Sequence, residues 1–203
     1  MAAIVVPFRG AGAKLRLDLL GASLRHRLAL AMLEDVLVAA VEVGPTLLVT
    51  ENAEVAALAR GLGARILADP GGGQGAAVCG AVAVAGSGGI LVVNADLPCA
   101  TPEDLDALIA STPPDGLALV AAADGTTNAL GLAASELFAP LYGPGSAERF
   151  RAHAVALGRP VVDVSLPNLA GDVDTAGDLE RLADRLGSST RAVLPVLRRE
   201  LAA

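Results

Sequence analysis

GGILVVNADLPCATPEDLDALIAS, residues 88–111, decides the fold. Two glycines open it and four apolar residues follow, Ile90 to Val93, with no polar alternation. A strand of that kind is covered on both faces, which is the habit of a parallel sheet. Thr101, Pro102 and Asp104 then spell a helix start: a hydroxyl cap, a proline at the first helical position and an acidic residue three after the cap. Between strand and helix stands Asp96. A carboxylate at the end of a buried strand is costly unless something compensates it. The compensator could be a helix N-terminus, a basic side chain or a metal.

The same strand–helix alternation extends to both sides. Strands are expected at 3–7, 45–50, 64–70 and 88–98, and helices at 22–42, 51–63, 75–86 and 101–111. The pattern then loosens. Two strands, 116–123 and 129–134, are joined through DGTTN, and a helix at 145–158, a strand at 159–166 and a helix at 175–186 follow. The tail from Ser189 reads as a last helix broken near Pro195. With no repeat and no interdomain linker, the expectation is an α/β fold: one domain over residues 1–203, three layers α/β/α, with a mostly parallel, Rossmann-like central sheet.

Bulk composition narrows the function. The net charge is −7, which argues against a general nucleic-acid binder but not against a nucleotide ligand. Two cysteines, Cys79 and Cys99, make no disulfide framework, so a reducing cytoplasm is the expected compartment. The opening MAAIVVPFRG has too short an apolar run and no basic leader for a signal peptide, and glycines interrupt the longest apolar stretch, so no membrane span is expected. The small-residue helix 75–86 could pack inside or face a second copy, which leaves a homodimer open.

Ligands of open parallel sheets bind beyond the carboxyl ends of the strands. Four polar groups gather there. The first is the loop PFRGAGAKLRL, with Pro7, Gly10, Gly12, Lys14 and Arg16. Glycines let the backbone approach a phosphate, and the cations stabilise its charge. Lys14 is the only lysine beside fourteen arginines, which suits a compact ammonium on a phosphate. The loop is neither a Walker motif nor a dinucleotide fingerprint. The second group is DPGGGQGAA, where Gly73, Gln74 and Gly75 lead into a helix; Gln74 could read a base edge or a ribose. The third is Asp96. Thr101 already caps the next helix, so a metal facing phosphates is the better reading of this carboxylate. The fourth is GDVDTAGDL: alternation in an extended stretch puts Asp172 and Asp174 on one side, with Thr175 as the next cap and Asp178 solvated in the helix. In the second half, Thr126, Thr127 and Asn128 offer hydroxyl and amide groups. Gly143, Gly145 and Ser146 precede a helix and form an anion site by geometry, or an ordinary serine cap. His26 and His153 lie on helices as surface or packing residues, and no serine–histidine or cysteine–histidine arrangement has local support.

In order along the chain, VPFRGAGAKLRL, GARILADPGGGQGAA, VVNADLP, GTTNALGL, YGPGSAERF and DVDTAGDL resemble the MobA-like nucleotidyltransferases, a glycosyltransferase-A type superfamily with the nucleotide-diphospho-sugar transferase fold. More closely, these stretches look like the guanylyltransferases that activate phosphoenolpyruvate or 2-phospho-L-lactate in the biosynthesis of the deazaflavin coenzyme F-420. The resemblance implies transfer of GMP from GTP to the acid's phosphate with release of pyrophosphate, and Mg²⁺ as cofactor. It implies Asp96 and Asp174 as metal ligands, to which the alternation of GDVDTAGDL adds Asp172, and Lys14, Asp96 and Asp174 as catalytic residues. By the same likeness Lys14 and Arg16 match the triphosphate loop, and Thr126, Gly143 and Ser146 match the acceptor site; Pro7, Gly10, Gly12, Gly73, Gln74 and Gly75 are expected at the nucleotide from the two glycine loops themselves. Where the family usually has Leu-Asn in the third loop, this chain has Gln74 and Gly75. Another nucleotide, another acid such as 3-phosphoglycerate, or a non-catalytic nucleotide-binding domain are the alternatives.

Overall fold

Chain order and hydrogen bonding together fix the layout. The computed structural model describes residues 1–10, 20–86 and 88–201. Its elements are β1 (Ala3–Pro7), α1 (Ala22–Val43), β2 (Thr46–Val49), α2 (Ala53–Gly61), β3 (Arg65–Leu67), α3 (Gln74–Ala85), β4 (Ile90–Val93) and α4 (Pro102–Ser111). They continue with β5 (Leu117–Ala121), β6 (Thr127–Leu132), a 3-10 turn (Ser135–Leu137), α5 (Ser146–Ala156), β7 (Val161–Asp163), α6 (Ala176–Leu182) and α7 (Ser188–Leu201). The strands form one seven-stranded sheet in the order β3-β2-β1-β4-β6-β5-β7. Val5 pairs with Leu47 on one side and Val92 on the other, both parallel.

Only β6 runs against its neighbours, antiparallel to β4 and to β5. The connection 122–126 is too short for a crossover helix, so the chain must turn back. Gly125, with φ 81°, makes that turn. The reversal brings the start of β6, Thr127 and Asn128, to the same sheet edge as the end of β4. Both residues were expected in the connection and lie instead in the strand.

Alternation along the strands divides the core. Ile4, Val6, Leu91 and Val93 face α1, α2 and α4, whereas Val5, Val92, Leu119 and Leu130 face α3 and α5. A third cluster joins the outer stripe of α1 (Leu24, Leu28, Met32) to α6 and α7 through Leu179, Leu194 and Leu197. The small-residue helix settles inside: Ala77, Val78, Ala81 and Val82 of α3 are buried on the sheet. No helix among the described residues is long and apolar enough to cross a membrane.

The tail differs from expectation, since α7 runs unbroken through Pro195. The proline forfeits one backbone bond, but its ring faces solvent while Leu194 and Leu197 beside it are buried. The helix start is held from elsewhere: the buried Asp35 of α1 accepts the Ser189 and Thr190 amides, each at 2.9 Å. The strands expected at 64–70 and 159–166 shorten to three residues each, the one expected at 88–98 to the four from Ile90 to Val93, and the helix expected at 175–186 stops at Leu182.

Candidate active site

Beyond the end of β4 the chain turns sharply. Leu97 is buried and anchors the turn, and the Pro98 carbonyl accepts the Gly187 amide at 2.7 Å. Asp96 is thereby held at the sheet edge with its side chain half-buried. The segment carrying Asp172 and Asp174 docks beside it through one backbone bond, Val173 N–H to the Asp96 carbonyl at 3.1 Å. Val173 is fully buried in the α1–α6–α7 cluster, so its two neighbours turn the other way. Asp96, Asp172 and Asp174 each offer a carboxylate oxygen, and these lie within 4.8 Å of one another. Asp96 Oδ1 and Asp174 Oδ1 are sealed from solvent.

Local chemistry holds this group in place. Thr175 caps α6, and Asp178 answers it, accepting from the Thr175 hydroxyl at 2.8 Å and from the amides of Thr175 and Asp174. Asp178 is therefore engaged in the cap, not simply solvated. Burial pushes its pKa up, but the bonds from Arg181, Thr175 and Asp174 outweigh that and hold it below the usual aspartate value. Thr101 caps α4 in the same way with Asp104, which leaves Asp96 no capping duty there. Three hard oxygen donors, converging and partly desolvated, fit a divalent cation such as Mg²⁺.

On the β1–β3 side the chain leaves two strands at their carboxyl ends. Pro7 is the last residue of β1, and Gly10 has φ 95°. Gly12, Lys14 and Arg16 lie outside the described residues. The loop after β3 is shaped by the buried Asp69, which accepts the Gly71 amide at 2.8 Å and pairs with Arg9 at 3.4 Å. Gly71, Gly72 and Gly73 all have positive φ, a run that side chains do not tolerate. Gly73 is the N-cap of α3 and makes no side-chain cap bond. The Gln74 side chain turns away to Asn94, donating to Oδ1 at 2.6 Å.

On the other flank the acceptor candidates are tightly bound to one another. The Thr126 hydroxyl and amide both bond Asp124 Oδ1. Ser146 is fully buried and is not a cap: Gly145, in the left-handed region, holds that position. The Ser146 hydroxyl accepts the Thr127 amide at 2.9 Å and donates to Thr127 Oγ1 at 3.1 Å. Two α5 amides that would face an anion are already taken, Ser146 N–H by the Gly143 carbonyl and Ala147 N–H by the Gly125 carbonyl. Arg149 donates to the carbonyls of Leu141, Tyr142 and Pro144, fixing the loop that carries Gly143. Arg151 pairs with Asp163 and Glu148 on the surface. Burial pushes the Cys99 thiol up, which keeps it from nucleophilic work.

Arg9, Asp69, Asn94 and Arg149 thus join the site or its supports through contacts not read from the sequence. Asp69 had a usable signal: an aspartate before Pro-Gly-Gly is apt to bond the backbone two residues on. The others depend on contacts across the sheet edge that spacing does not carry.

A family model for the MobA-like NTP transferase domain matches residues 9–161. A phosphoenolpyruvate guanylyltransferase of Nocardia farcinica is 38% identical over 183 residues, covering 84% of this chain and 79% of that protein. One from Streptomyces coelicolor is 37% identical over 94% of each. A nucleotidyl transferase structure from Methanothermobacter superposes with TM-score 0.68 at 21% identity, covering 91% of this chain and 96% of that one, which bears on the fold alone.

Proposed function

The chain belongs to the MobA-like NTP transferase family, alongside the phosphoenolpyruvate guanylyltransferases of which it is a relative, and from that premise we propose that it moves GMP from GTP to the phosphate of phosphoenolpyruvate and releases pyrophosphate. The whole of residues 1–203 acts as one domain, in the cytoplasm, on the path to the deazaflavin coenzyme F-420. The observation that carries the reading is the carboxylate triad Asp96, Asp172 and Asp174, gathered within 4.8 Å beyond the end of β4.

A phosphate oxygen of the acid attacks the α-phosphorus of GTP as the bond to the β-phosphate oxygen breaks. No covalent enzyme intermediate is needed, so the chain's task is to position two anions and offset their charge. Pro7, Gly10, Gly12 and Gly73 supply close-approaching backbone to the nucleotide, and Lys14 and Arg16 supply charge to its phosphates. Thr126, Gly143 and Ser146 frame the acid. Ser146 does so by fixing Thr127 and the start of α5, because its hydroxyl is spent inside the protein. Asp96 and Asp174, with Asp172, would hold Mg²⁺, which when bound supplies positive charge against the phosphates of both reactants.

The test is pyrophosphate release with Mg²⁺, crossing GTP, ATP and CTP with phosphoenolpyruvate, 2-phospho-L-lactate and 3-phosphoglycerate. Release with GTP and phosphoenolpyruvate is the expected result. Release confined to another pair moves the assignment to that pair, and silence with all nine ends the transferase reading.

A further inference from the structure

Gln74 and Gly75 open α3, directly after the β3 loop, yet their surroundings belong to the opposite flank. We infer that these two residues act on the acceptor half of the site, as positioning residues for segment 126–146; the inference rests on the function proposed above.

Gly75 gives the first argument. A Cβ built on it would lie 2.8 Å from Pro140 Cβ and 3.2 Å from both Pro140 Cα and Pro140 O. The bare Cα of residue 75 is therefore the surface on which the acceptor-side loop rests. That loop is stiff, because Arg149 ties the carbonyls of Leu141, Tyr142 and Pro144 together. Pro140 cannot be displaced without carrying along the block that holds Gly143. Any side chain at 75 thus moves an acceptor group, although residue 75 lies on the nucleotide side in sequence.

Gln74 gives the second argument, by a separate route. Its Nε2 donates to Asn94 Oδ1 at 2.6 Å, and Asn94 Nδ2 donates to the Thr127 carbonyl at 3.2 Å. Thr127 in turn binds Ser146 through its amide and its hydroxyl. Asn94, Thr127 and Ser146 are all buried, so water does not replace a lost partner at low cost. The chain of bonds runs from the first residue of α3, across the end of β4, to the first residue of α5. Removing the Gln74 amide takes away the bond at Asn94 Oδ1 that steadies the side chain whose Nδ2 binds the Thr127 carbonyl.

The experiment measures KM for GTP and KM for phosphoenolpyruvate separately in the full-length protein, by pyrophosphate release. Gly75→Ala and Gln74→Leu should each raise KM for the acid about tenfold, ~1.4 kcal/mol. KM for GTP should stay within roughly twofold. The pair Gly75→Ala with Pro140→Gly removes the Cβ that the new methyl group meets and should recover most of the loss. A merely structural defect would lower the active fraction and kcat and leave both KM values alone, which would overturn the inference. So would a rise in KM for GTP with KM for the acid unchanged. If Gly75→Ala does not fold, Gln74→Leu, which adds nothing toward Pro140, decides alone. Absence of turnover in the wild type with this substrate pair would sink the proposed function and the inference with it; turnover with the wrong KM split sinks the inference only.

Discussion

Three carboxylates within 4.8 Å of one another are expensive to assemble, and the cost can be measured. Two unit charges at that separation repel by about 3–4 kcal/mol at an effective dielectric of 20 and by about 1 kcal/mol in water. All three side chains are half-buried, so the real figure lies between these limits after solvent screening. Asp96→Asn removes one charge and keeps the shape. In the presence of a chelator it should stabilise the protein by about 1–2 kcal/mol, which for a chain of this length is a rise in Tm of roughly 2–8 °C. The same variant should lose turnover. Millimolar Mg²⁺ should raise the Tm of the wild type and leave that of the variant nearly still, because ligands stabilise only the state that binds them. Scanning calorimetry with and without chelator reads all of this on two proteins. A variant less stable than wild type in chelator would show that the carboxylates are not in strained company. An equal Mg²⁺ shift in both would remove Asp96 from the metal site.

Two further outcomes concern the frame around the site. Asp35→Ala deletes the buried carboxylate that receives two α7 amides, and should cost about 2–4 kcal/mol in urea unfolding followed by circular dichroism. A loss under about 0.5 kcal/mol would mean that α7 is held by its apolar stripe alone. Asp178 has a pKa held below its ordinary 3.8, so its contribution is present above that pH and is lost as pH falls through the lower folded value. Asp178→Asn should therefore lag behind the wild type at neutral pH and draw level in acid. A gap that stays constant through the acid range would contradict the linkage.

Much of this architecture is legible in the chain because local rules agree with global ones. Ile90 to Val93 has no polar alternation and lands in the middle of the sheet. Thr101 and Thr175 carry complete capping boxes, and both helices start where those boxes say. The Asp172–Val173–Asp174 alternation puts two carboxylates beside Asp96 because Val173 has a core to enter. What stayed hidden is long-range. The place of β6 between β4 and β5 depends on which strand edge was left unpaired, a matter settled by the whole sheet. Asp35 meets Ser189 across 154 positions, and no window of sequence contains both. Gln74 reads as a free polar group in a glycine loop until Asn94, twenty residues on, is seen to receive it.

The lone reversed strand also divides the chain's connections by what they can tolerate. With β6 turned around, the hairpin 122–126 hangs over the carboxylate edge, whereas the α4–β5 connection sits at the far edge of the sheet. Pro114 and Asp115 on that far connection are exposed, and Asp115 spends only a surface ion pair with Arg159. Extra residues there (an affinity tag, a fluorescent reporter, a tether to a bead) would project away from the substrates. The same insertion at 124–125 would fall across the site. A protein engineer thus has one seam at which to open this chain without touching its chemistry.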